Sequence, residues 1–209
     1  MQNKYSMQKN YFLFPLKSEA LIKDYVREYL KDSNKDPIYA MKVQLPKDIL
    51  EIINIEMLEY GLPKIGSSMA FKRKNDYTTM YNKCHIDYAV HKAHYIKSSI
   101  VIPIDGCEDT VMYWADGDFT TSVSFPSPKF PHTYPYIKIL WNSPGTIIDQ
   151  VEISNGPMLC RVDVPHNATS RKDGSYRLVM TLRFEENLSI EEIMACRNSI
   201  PIDNITVYN

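Results

Sequence analysis

Hydrophobic positions along the chain change period once, near residue 65. Before it, apolar residues recur at helical spacing. From Ser18 to about Lys31, the residues Leu21, Ile22, Tyr25, Val26, Tyr29 and Leu30 fall on one face of a helix, with Ser18 as its N-cap and Pro37 barring continuation. A second helix is predicted from Pro46 to Tyr60, where Pro46 suits the first helical position, Leu50, Ile53 and Met57 recur, and Gly61 ends the run. Residues 1–16, partly apolar at Tyr11-Phe12-Leu13-Phe14-Pro15, read as extended, a first strand or an arm laid over the core. Beyond Gly66 the apolar blocks shorten. Strands are predicted at Ser67–Arg73, Thr78–His85, Ile96–Ile104, Thr110–Trp114, Phe119–Phe125, Tyr136–Trp141, Thr146–Ile153, Met158–Val164 and Arg177–Phe184. Ile96–Ile104 is β-branched and largely apolar, as a central strand would be. Ser189-x-x-Glu192 is a capping box opening a short helix to about Cys196, and the tail 200–209 reads as extended. Many short strands without strand–helix–strand alternation predict a mainly β sandwich or barrel with flanking α-helices, not a doubly wound parallel sheet.

Composition narrows this picture without redirecting it. A length of 209 residues makes one domain the default: helical support over about 1–65, a β core over about 66–185, and a C-terminal helix and tail over 186–209. With 44% apolar and 23% charged residues, the chain reads as an ordinary soluble globular protein. A formal net charge of −1 gives no general attraction to nucleic acid or anionic lipid. Cys84, Cys107, Cys160 and Cys196 are widely spaced and contain no Cys-x-x-Cys, so reduced thiols are expected in place of a disulfide framework or zinc knuckle. The N-terminus lacks a signal-peptide core, and no apolar run approaches the roughly 20 residues of a membrane helix, which gives a cytoplasmic expectation with no membrane partner.

The chemistry concentrates at Cys84-His85-Ile86-Asp87. A histidine and an aspartate two residues apart on a strand point to one face and can take neighbouring positions on one metal. The third ligand must come from elsewhere, and His166 in Val164-Pro165-His166-Asn167 is the best candidate. Two histidines and a carboxylate on one face of an octahedral ion leave three positions open, the arrangement of non-haem Fe(II) oxygenases. Arg177 lies eleven residues beyond His166, at the start of an alternating run that sets Arg177, Val179, Thr181 and Arg183 on one face. A guanidinium fork there can bind a carboxylate bidentately. His91 and His94 follow the pair in what reads as a solvated loop, and they are not expected to be ligands. Tyr113 and Trp114 read as core or rim packing ahead of substrate stacking, His132 as a surface loop residue, and Lys72-Arg73-Lys74 as a solvated basic run.

Four stretches carry a resemblance: His85-Ile86-Asp87, the run from Ile102 to Thr110, Val164-Pro165-His166, and the run from Tyr176 to Phe184. They fall within about residues 80–185, half the chain, and resemble the Fe(II)- and 2-oxoglutarate-dependent oxygenases, in particular small prolyl- and asparaginyl-hydroxylase-like members from bacteria and phages. The resemblance implies a double-stranded β-helix (a jelly roll, cupin-like), Fe(II) held by His85, Asp87 and His166, and the distal carboxylate of 2-oxoglutarate held by Arg177. It implies consumption of O₂ and 2-oxoglutarate, release of succinate and CO₂, and hydroxylation of an unactivated carbon in an amino acid, peptide side chain or small metabolite. Val179 departs from the Ser or Thr that many relatives carry there, so Arg183 stands as the alternative grip, with Arg177 favoured by spacing. Two rivals share parts of the pattern: a metal-binding cupin enzyme that does not use 2-oxoglutarate, and a metal-free jelly-roll binding protein.

Overall fold

The computed structural model describes residues 9–31, 40–41, 43–74, 84–89, 94–124, 136–170 and 176–196. Within them the chain is mainly β, with three α-helices and two antiparallel sheets, a β-sandwich as the strand pattern led one to expect. The first sheet runs in the order β1 (Tyr11–Leu13), β11 (Met158–Arg161), β6 (Ser98–Asp105), β13 (Tyr176–Phe184), β3 (Ile65–Lys74) and β2 (Ala40–Met41). The second runs β10 (Thr146–Glu152), β7 (Thr110–Asp116), β12 (His166–Ser170), β4 (His85–Ala89), β9 (Tyr136–Trp141) and β8 (Phe119–Ser124), with β5 (His94–Tyr95) paired to β4. Pairings are nested. β7 pairs with β10, β6 with β11, β4 with β12 and β3 with β13, so the chain winds out through four strands and returns antiparallel along the same four.

Alternation along the strands sorts side chains into three layers. Ile100, Ile102, Ile104, Leu178, Met180 and Leu182 face outward from the first sheet and pack under α1 (Glu19–Lys31) and α2 (Lys47–Glu59), which supply Ile22, Val26, Ile53 and Met57. The intervening positions Val101 and Val179 face the second sheet and join Met112, Trp114, Met158 and Cys160 between the two. Tyr113, Ala115, Ile86, Ile137 and Ile139 form a cluster on the far face of the second sheet. β6 is buried at every position from Ser98 to Ile104, as its composition predicts. Each fully buried isoleucine or leucine of these layers contributes roughly 1.5–3 kcal/mol relative to an exposed one.

Several local expectations need correction. Ser18 precedes α1, but its hydroxyl donates to Glu56 Oε2 (2.7 Å), and Glu56 also accepts the backbone N–H groups of Lys17 and Ser18. A buried carboxylate from α2 thus serves the start of α1. The apolar face of α1 is narrower than its periodicity suggests: Ile22 and Val26 are buried, while Leu21 and Tyr29 are exposed. His166 does not close the Met158 strand; β11 ends at Arg161, and the segment through Pro165 crosses to the other sheet, where His166 opens β12. Beyond Asp87, β4 continues to Ala89, and His94 lies in β5 and not in a loop. The expected strand Thr78–His85 falls outside the described residues up to Lys83, as do His91, His132 and the tail 200–209. Both halves of the predicted capping box form at α3 (Ile190–Cys196): Ser189 N–H donates to Glu192 Oε2 (2.7 Å), and Glu192 N–H to Ser189 Oγ (3.2 Å). Of the described helices, none is long and apolar enough to cross a membrane.

Candidate metal centre

The nested pairing of β4 with β12 sets His85 directly opposite His166. Cross-strand partners share a face, and Asp87, two residues along β4, shares it as well. One ligating atom from each of His85, Asp87 and His166 lies within 4.8 Å of the other two. Among the described residues these three form the one group of His, Cys, Asp or Glu side chains so arranged. The two imidazole rings tilt at 48° with centroids 4.5 Å apart. Asp87 Oδ1 is 3.7 Å from His85 Nε2 and 3.9 Å from His166 Nε2. His166 Nδ1 donates to the Val164 carbonyl at 2.9 Å, which leaves Nε2 as the free lone pair on the side of Asp87.

The other carboxylate oxygen is engaged from the opposite sheet. Arg183 Nη2 donates to Asp87 Oδ2 at 2.8 Å. Burial of Asp87 pushes its pKa up, but the Arg183 guanidinium, with His166 and His85 behind it, outweighs burial and holds the carboxyl below its ordinary range. Asp87 is therefore an anion, with one oxygen fixed by arginine and the other turned to the two imidazoles. Sequence reasoning set Arg183 on the correct face but did not find this partner, which belongs to a strand of the other sheet.

A polar vacancy accompanies the pair. Arg183 Nε and Ser99 Oγ are both buried with no hydrogen-bond partner among the described residues. Ile100 pairs with Leu182, so by register Ser99 is the cross-strand neighbour of Arg183 and shares its inward face. Leaving such a buried group unsatisfied costs about 1–3 kcal/mol, and here two neighbouring ones lie on the strands that face the candidate ligands. Nothing in the sequence marked Ser99.

Arg177 is buried at the other end of the same strand face, with 6% of its surface exposed. Its Nη2 donates to the Ala168 carbonyl at 2.6 Å, so its side chain spans from the first sheet to the second. Ala168 is two residues, roughly 7 Å of strand, beyond His166. Thr181 and Val179 lie between the two arginines on β13. Tyr113 and Trp114 are fully buried. Trp114 stacks on Tyr11 (5.7 Å) and donates from Nε1 to the Arg161 carbonyl, so both belong to the core and neither offers a face to substrate. His94 sits opposite Ala89 on the face of the ligands, outside the three-ligand group. All four cysteines are free, and burial pushes the Cys84 thiol up to about 11.

No family model matches the chain, and a search of the curated proteins returns no match.

Proposed function

We propose that the protein is an Fe(II)- and 2-oxoglutarate-dependent dioxygenase that hydroxylates an unactivated carbon of an amino acid, peptide side chain or small metabolite. The observation that carries this reading is the convergence of His85, Asp87 and His166 on one face, with two arginines projecting toward that face from the opposite sheet. Nested pairing of β3–β13, β4–β12, β6–β11 and β7–β10 supports reading the sandwich as a double-stranded β-helix, since a two-stranded ribbon wound on itself produces those pairs.

The residues fit the groups the reading requires. Two imidazoles and one carboxylate suit a divalent first-row ion with open positions. The two orphaned polar atoms, Ser99 Oγ and Arg183 Nε, suit a carboxylate oxygen next to that ion. When bound, the iron supplies O₂ activation coupled to decarboxylation of 2-oxoglutarate to succinate. The chain's own residues supply placement. Arg183 fixes Asp87 and keeps it ionised. The Val164 carbonyl fixes the tautomer of His166. To Arg177, whose Nη2 reaches the Ala168 carbonyl two residues beyond His166, the reading assigns the distal carboxylate of the cosubstrate.

The test is incubation of the protein with Fe(II), ascorbate and 2-oxoglutarate in air, with succinate measured. Succinate above a His85→Ala, Asp87→Ala control supports the reading. Iron binding without 2-oxoglutarate consumption would favour a cupin enzyme of another kind, and absence of metal binding would favour a binding protein.

A further inference from the structure

We propose that the open face of the β8–β9 hairpin receives the substrate to be oxidised, and that Lys138 there holds a single carboxylate or phosphate of that substrate, with Tyr136 beside it as one wall of the approach to the metal ligands. The proposal rests on the oxygenase reading and names the substrate class that the reading leaves open.

The register makes the argument. β9 pairs with β4 so that Lys138 lies opposite His85 and Tyr136 opposite Asp87. Opposite residues share a face, so Tyr136 and Lys138 project on the side of the metal ligands. Ile137 and Ile139, between and beyond them, are buried on the far side. β8 extends the surface, with Ser124 opposite Tyr136, Ser122 opposite Lys138 and Thr120 opposite Leu140. On β9, therefore, one face is buried and apolar, and the other is open and continues directly from the site. Tyr136 is 37% exposed, and its ring meets that of His85 edge-on at 5.6 Å. A substrate approaching the ligands over this face meets this ring.

Charge identifies what is bound. Among the described residues of β8 and β9, the open face carries one cation and no carboxylate. Lys138 is exposed and has no ion pair among the described residues, whereas Arg183 is held by Asp87 and Arg177 is buried against Ala168. Among the described residues it is a cation beside the site that neither a ligand nor the proposed cosubstrate claims. Opposite residues in an antiparallel pair lie about 4.5–5.5 Å apart at Cα, and a four-carbon stem brings the ammonium within a small molecule's length of His85. The substrate thus carries its anion a few bonds from the reacting carbon. A polynucleotide would call for a row of cations tracking its backbone, and a single lysine suits a small acid or one acidic group of a peptide.

The experiment uses the full chain loaded with Mn(II) and 2-oxoglutarate without O₂. Probes are matched pairs: N-acetyl amino acids with their carboxamides, Asp-containing peptides with their Asn counterparts, and nucleoside 5′-monophosphates with their nucleosides. Paramagnetic broadening of the probe protons reports proximity to the metal. At least one anionic series is expected to half-saturate at tenfold lower concentration than its neutral partner, and the series that does so separates carboxylate from phosphate. Lys138→Glu should remove that preference, and Lys138→Gln should weaken it. Equal broadening of charged and neutral partners, no broadening of any anion, or a preference surviving in Lys138→Glu would overturn the proposal. Saturation transfer from protein protons to the same probes needs no metal. Failure to bind Mn(II) would therefore sink the oxygenase reading while the Lys138 comparison could still be read.

Discussion

Replacing Arg183 with methionine should destabilise the metal-free protein in a way that depends on pH. The Arg183–Asp87 contact is 2.8 Å, with side-chain exposures of 16% and 15%, so the weak values of solvent-exposed ion pairs do not apply. Breaking a buried pair by removing one partner costs about 3–5 kcal/mol, and losing the already unsatisfied Arg183 Nε returns about 1–3, so the net expectation is a loss of about 2 kcal/mol at pH 7. The sign with pH follows from the direction of the shift. Asp87 titrates below its ordinary range in the folded protein, so its contribution is fully present above the unfolded value of about 3.9 and is lost as pH falls through the folded value. In the variant, burial acts on Asp87 with only the two histidines opposing it, and the folded pKa rises. Protonation then relieves the buried anion, and the gap between variant and parent should shrink as the pH is lowered. Urea denaturation of chelator-treated protein at pH 7 and pH 4.5 measures both quantities. A loss below about 0.5 kcal/mol at pH 7, or a gap equal at the two pH values, would refute the reasoning.

Three further outcomes are expected. Arg177→Ala should weaken 2-oxoglutarate binding by tens- to thousands-fold, the equivalent of about 2–5 kcal/mol for a truncated buried partner, with Mn(II) affinity by calorimetry nearly unchanged and Arg177→Lys rescuing only in part. Glu56→Ala removes the acceptor for the Lys17 and Ser18 backbone N–H groups and the Ser18 hydroxyl; a loss of about 2–3 kcal/mol is expected, seen as a thermal midpoint lowered by about 5–10 °C. Gly106→Ala would set a Cβ 2.0 Å from the Tyr176 carbonyl oxygen at a residue with φ +61°, so the start of β13 must shift; about 2 kcal/mol or more of stability should go, and 2-oxoglutarate binding should fall further than Mn(II) binding.

What the sequence disclosed follows the physics of pattern. Helices α1 and α2 and the strands β6, β7, β9 and β13 bury one face or both against apolar layers, and that burial is written as period or as a β-branched run. β12 escaped because His166-Asn167-Ala168-Thr169-Ser170 has neither signal. It sits between β7 and β4 in the second sheet, where burial falls on polar groups that find partners, as Asn167 Nδ2 does at the Tyr113 hydroxyl (3.1 Å). Spacing alone put His85 and Asp87 on one face. The pairing that sets His166 opposite His85 is a long-range consequence of nesting, and no local pattern encodes it.

That nesting also divides the labour of the site. All three candidate ligands come from β4 and β12, adjacent strands of the second sheet, where one antiparallel register fixes their mutual geometry. Both arginines and Ser99 come from β13 and β6, adjacent strands of the first sheet, and they meet the ligands only across the gap between layers. Helices α1 and α2 pack behind the first sheet, against the alternate residues Leu178, Met180 and Leu182 of the same strand that carries the arginines. Packing on that outer face sets how far Arg177 and Arg183 reach, without touching the ligand register. A Met180→Ala cavity beneath the helices should therefore disturb carboxylate binding before it disturbs metal binding, because the displaced strand holds the cations and the undisplaced pair holds the ion.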